Sequence, residues 1–138
     1  MRILPPLALA LACTATPLLA ENFTTAAEVK PILTATKAGW IAVREYDGND
    51  LVYFTQIEAW RCGFTSIRYA INGNTADMDY EMEACHEGEA TPNALKMEGH
   101  LPYIVQPLDS VKKVTVEITY DDGTTDSATY QRDAVLMH

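Results

Sequence analysis

From Trp40 onward, apolar and polar positions alternate in short runs separated by turn residues, the period expected of half-buried antiparallel strands. WIAVREY, then DGND, then LVYFTQIEAW describe a first hairpin, and VKKVTVEITY, DDG and TTDSATYQR describe a third near the C-terminus. In the third, a two-residue loop at Asp122 and Gly123 would set Val116 and Ile118 against Thr129 and Ser127. A three-residue loop with Gly123 in the left-handed conformation instead sets Val116 against Ala128 and Val114 against Tyr130. The second register keeps apolar on apolar, so it is the expected one.

Between these lies EAWRCGFTSIRYAINGNTADMDYEMEACHEG, residues 58–88. A two-residue turn at Gly73 and Asn74 pairs Ile71 with Ala76, Tyr69 with Met78, Ile67 with Tyr80 and Thr65 with Met82, an almost wholly apolar face. The other face pairs Ala70 with Asp77, Arg68 with Asp79, Ser66 with Glu81 and Phe64 with Glu83, and it reads as solvated. Carrying the register outward sets Cys62 opposite Cys85, although the cysteines played no part in choosing the turn. Opposed residues lie about 4.5–5.5 Å apart at Cα, within disulfide reach. The bond contributes about 3 kcal/mol in the chain-entropy account.

Two helical segments interrupt the strand pattern. Thr25 and Glu28 have capping-box spacing ahead of Val29, Ile32 and Leu33, with Pro31 limiting the helix to a short or bent one. Thr91 as cap, Pro92 at the first helical position and Gly99 as stop describe a turn or two of helix inside the longest excursion from the sheet, residues 86–103. The fold class that follows is mainly β: a small antiparallel sandwich, or alternatively an open barrel, of six or seven strands. Three successive hairpins, a short N-terminal helix and one disulfide build it.

The first twenty residues change the picture of where the chain works. Arg2, an uncharged apolar stretch, Pro17 and a small residue before Glu21 have the order of a secretory signal peptide cleaved after Ala20. Residues 21–138 are then a single disulfide-stapled domain in the periplasm or outside the cell, with no stable membrane span. A lipoprotein would acylate Cys13, but no leucine stands three places before it. The formal net charge of −9 becomes one unit more negative when Arg2 is removed. Such a balance repels phosphate backbones and anionic lipid, which excludes nucleic acid and favours a basic protein as partner.

Candidate chemistry is sparse. Cys62, Cys85, His86 and His100 are suitable zinc-ligand types without zinc spacing, and export favours oxidation of the cysteine pair, so neither metal nor cofactor is expected. Asp77, Asp79, Glu81 and Glu83 form a row about 6.6 Å apart along one strand face, too widely spaced to share one small cation. The row, helped by Glu58, Glu87 and Glu89, reads as a solvated face or as a strip that docks a basic partner. DGND and DDG resemble calcium-loop fragments, but turn chemistry accounts for both. No nucleophile elbow, paired-histidine metal motif or phosphate loop accompanies His86, His100 and His138. Both His86 and His100 read as surface residues, and Trp60 as a buried one or an exposed anchor.

Along WRCG, IRYAING, CHEG, PNALK, LPY and VTVEITYDDGTTDSATY the mature chain resembles small exported bacterial proteins of unknown function, which implies a periplasmic location and brings no activity with it. IRYAING followed by an acidic strand is also similar to hairpins of immunoglobulin-like and fibronectin-like sandwiches. Trp60 precedes the first cysteine, so the immunoglobulin disulfide pattern is absent. The expectation is a non-enzymatic binding module with no catalytic residue. Its candidate partner-binding residues are Asp77, Asp79, Glu81, Glu83, His86, Glu87, His100 and Tyr103. A small hydrolase or metal-dependent enzyme using His86 and His100, and an inhibitor of a cationic exported enzyme, are the alternatives.

Overall fold

A computed structural model describes residues 2–6, 10 and 22–138; the expected cleavage point after Ala20 and Cys13 lie outside the described residues. In chain order the elements are α1 (Ala26–Ala35), β1 (Ala42–Tyr46), β2 (Asn49–Tyr53), α2 (Thr55–Glu58), β3 (Phe64–Ile71), β4 (Met78–Tyr80), β5 (Tyr103–Pro107), β6 (Lys113–Tyr120), β7 (Thr125–Gln131) and α3 (Arg132–Val135). They form two antiparallel sheets, ordered β1-β2-β5 and β4-β3-β6-β7, with no closed barrel. Val43 and Val52 from the first sheet meet Ile67, Val114, Val116 and Ile118 from the second in one core. Among the described residues no helix is long and apolar enough to cross a membrane.

Alternation places these side chains. The first hairpin turns at Asp47 and Gly48 and pairs Val43 with Val52. In the third hairpin Val116 faces Ala128 and Val114 faces Tyr130, and Gly123 takes φ 84° in a three-residue loop, the expected register. At α1 the Thr25 side chain accepts from Glu28 N–H, and Val29 and Leu33 are buried. Trp40 is fully buried and donates from Nε1 to Leu33 O at 3.0 Å, fixing the path from α1 into β1.

The middle hairpin keeps its expected register over Ile67–Tyr80, Arg68–Asp79 and Tyr69–Met78, and then departs from it. The tight turn at Gly73 and Asn74 does not form. Asn72 accepts on Oδ1 from Lys112 N–H and Lys113 N–H, donates from Nδ2 to Ser110 O, and its own N–H bonds to Lys113 O. These bonds draw the bend toward β6, and the β3–β4 ladder stops two pairs short. Met78, expected on the apolar face, is 54% exposed. At the other end a bulge between Phe64 and Ser66 turns Phe64 from the expected solvated face into the core, edge-on to Tyr120.

Two further expectations are corrected. The run LVYFTQIEAW is strand only to Tyr53; α2 follows and buries Ile57 and Glu58. Residues 91–99 are not helical, although Ala94 N–H still bonds to Thr91 O. The backbone groups that a helix would have paired internally are taken by Arg61 and Glu83.

Candidate functional site

The largest concentration of polar chemistry lies where α2 and the following 3-10 turn, Arg61–Gly63, meet the chain leaving β4. Arg61 is 2% exposed. Its guanidinium donates to Glu58 O, Glu83 O, Ala84 O, Asn93 O and Ala94 O, and to the Glu83 carboxylate at 3.1 Å. A planar fork with five N–H groups suits such a cage of carbonyls, and a lysine would not reach it. Residues 83–97 thus form a strap whose backbone is organised around one side chain.

Two buried carboxylates complete the arrangement. Glu58, with no exposed surface, accepts from Tyr80 Oη–H at 2.7 Å and from Glu83 N–H at 2.7 Å, and His100 Nε2 lies 2.6 Å from its Oε1. Glu83 accepts from Lys96 N–H at 3.1 Å and Met97 N–H at 2.8 Å, with His86 Nε2 2.7 Å away. Burial works against the Glu83 charge, but the two backbone donors, His86 and the Arg61 guanidinium outweigh it and hold its pKa at about 2. Burial first, and then the bond to Glu58, push the Tyr80 hydroxyl well above its ordinary value.

The disulfide is the third fastening. Cys62 and Cys85 are bonded with Cα atoms 5.1 Å apart. Cys62 N–H donates to Asn93 Oδ1 at 2.8 Å, and Asn93 Nδ2 donates to Phe23 O at 2.8 Å, so the staple, the strap and the segment entering α1 share one side chain. Trp60, expected buried or fully presented, is half-buried and edge-on to Phe23 at 5.1 Å.

The expected binding residues divide. Asp77, Asp79 and Glu81 are exposed along the edge strand β4 and its flanks, and Glu87 is exposed on the strap. Arg68 Nε lies 3.2 Å from Asp79, whereas Asp77, Glu81 and Glu87 have no ion-pair partner among the described residues. Glu83 does not belong to the strip, because the chain leaves strand geometry after Tyr80 and Arg61 draws its carboxylate inward. Glu58 is likewise interior and adds nothing to the strip. His86 and His100, expected on the surface, are half-buried against the two inner carboxylates. Tyr103 opens β5 with its ring 5.2 Å from that of Tyr53.

A cavity of about 410 Å³ is lined by Glu81, Glu83, His86, Lys96, Glu98 and His100. Both histidines open to this common space. Among the described residues no group of three or more histidine, cysteine, aspartate or glutamate side chains is placed to hold a metal ion.

A second buried ion pair escaped the sequence reading. Asp50, taken for part of a turn, sits inside β2 with no exposed surface and accepts from Arg132 Nη1 at 2.6 Å, Asp109 N–H at 3.0 Å and Val111 N–H at 3.0 Å. The Arg132 bond, opposed by burial and reinforced by the two backbone donors, lowers the Asp50 pKa to about 2. The available signal was alternation: Asp50 stands two places before Val52, so the two share one face of β2. For Glu58 and Arg61 it was their three-residue spacing, which aligns side chains on a helical turn and not on a strand.

No family model matches the chain, and neither the curated proteins nor the solved structures searched contain a match. What defines the chain is therefore its own geometry: a disulfide-bonded β-sandwich with an ion-organised strap over one end and an acidic edge strand.

Proposed function

We propose that this chain is a non-enzymatic binding module of an exported compartment and that its partner is a basic protein. The observation that carries the reading is the division of its carboxylates. Glu58, Glu83 and Asp50 are saturated by donors from the protein itself, whereas Asp77, Glu81 and Glu87 face solvent without a partner among the described residues. Saturated inner charges stabilise and position, and unsaturated outer charges steer a cationic surface and fix its register. The leader sequence supports export. Capture from periplasmic extract on immobilised protein tests the reading. A basic protein is retained by the wild type and lost from the Asp77→Asn, Asp79→Asn, Glu81→Gln triple variant. Equal retention on both surfaces overturns it.

One observation favours a second reading, a small hydrolase or metal-dependent enzyme. His86 and His100, each against a buried carboxylate, line the same cavity. A carboxylate-oriented imidazole is the arrangement of a general base. Turnover of an activated ester or phosphate that disappears in the His86→Gln, His100→Gln variant would establish it. Turnover unchanged in that variant removes it.

A further inference from the structure

The middle hairpin leaves a gap in its own sheet. The β3–β4 ladder ends at Tyr69 and Met78, so Ile71 has no partner strand on that side. Asn72 N–H bonds to Lys113 O on β6, and backbone groups alternate sides along a strand, so Ile71 directs its N–H and C=O the other way. No backbone bond from the bend reaches them among the described residues. A notch of about 640 Å³ occupies the place where β4 would have continued. Tyr69 and Ile71 of β3, the exposed Met78, Gln106 of β5 and the polar bend residues Asn74 and Asp77 are among the residues that line it.

Ile71, the one unpaired position at the end of β3, offers its N–H and C=O beside the side chains of Tyr69 and Met78, and such a position can take a residue of a further extended segment. We propose that this notch docks an extended segment of the partner protein. A valine-like residue of that segment exchanges both backbone hydrogen bonds with Ile71 and seats its side chain on Ile71, Tyr69 and Met78. The neighbouring residue points to the opposite face, toward Asp77, which is the one charged side chain lining the notch and has no ion-pair partner among the described residues. That neighbour is a lysine or arginine. The inference rests on the basic-partner reading above and adds its mode, strand addition in place of charge contact alone.

The test uses the mature, disulfide-bonded chain and three capped hexapeptides: alternating valine and lysine, the same peptide N-methylated at the valine amides, and alternating valine and glutamate. Amide spectra and hydrogen exchange are read during titration. The valine–lysine peptide is expected to slow exchange at Ile71 and to shift Gln106 and Met78, while methylation or glutamate weakens binding tenfold or more. Asp77→Asn is expected to weaken it by about threefold, the scale of one exposed ion pair. Equal binding of the methylated peptide overturns strand addition and leaves the charge reading standing. Absence of binding by either lysine peptide at millimolar concentration overturns both.

Discussion

At Arg61 a single side chain does what a helix would otherwise do for residues 93–97. Its guanidinium takes the carbonyls of Asn93 and Ala94, and the Glu83 carboxylate that it holds takes the N–H groups of Lys96 and Met97. Removing Arg61 strands several buried acceptors and a buried carboxylate at once. Arg61→Ala is expected to lower unfolding free energy by about 3–5 kcal/mol, the cost of breaking a buried pair, as read from urea unfolding. The same scale gives the pH dependence. Glu83 and Asp50 are both held at about 2, against about 4 in an unfolded chain. A carboxylate with a depressed folded value contributes stability that is complete above its unfolded value and is lost as pH falls through its folded one. Urea midpoints should therefore decline between about pH 5 and pH 2, and Asp50→Asn should flatten part of that decline. A midpoint that stays level across this window would contradict the assignment.

At the scale of elements, legibility followed the ladder. Where cross-strand apolar pairs decided the register, as with Val116 and Ala128 or Ile67 and Tyr80, alternation in the sequence was sufficient. It failed wherever one distant polar side chain outbid local preference. Asn72 opened the tight turn by capturing the Lys112 and Lys113 amides at the entry to β6, and Arg61 with Glu83 unmade the expected helix. Neither partner set is close in sequence, so no local pattern announces it. The exposure expected of the acidic row is present at Asp77, Asp79 and Glu81 and absent at Glu83, whose carboxylate Arg61 draws inward. One close approach also came from outside local pattern: Gly63 sits under α1, where an added Cβ would meet Val29 Cγ2 at 2.5 Å and Thr25 O at 3.0 Å. Gly63→Ala is expected to destabilise by about 1–3 kcal/mol through overpacking. Gly39→Ala, with nothing within 4 Å of its added Cβ, is expected to leave the melting temperature nearly unchanged. Equal effects would mean that α1 is not seated on the 3-10 turn.

For the whole molecule, the two sheets, the staple and the ion-organised strap form a support, and the edge carried by β4 is its exposed acidic feature. Isothermal titration of the valine–lysine peptide into three proteins decides between support and catalytic centre: the wild type, the Asp77→Asn, Asp79→Asn, Glu81→Gln variant, and the His86→Gln, His100→Gln variant. Binding that persists in the histidine variant and weakens at least threefold in the acidic one is the predicted result. Binding that survives neutralisation of the edge and is lost with the histidines would contradict the account and move function to the cavity over the strap.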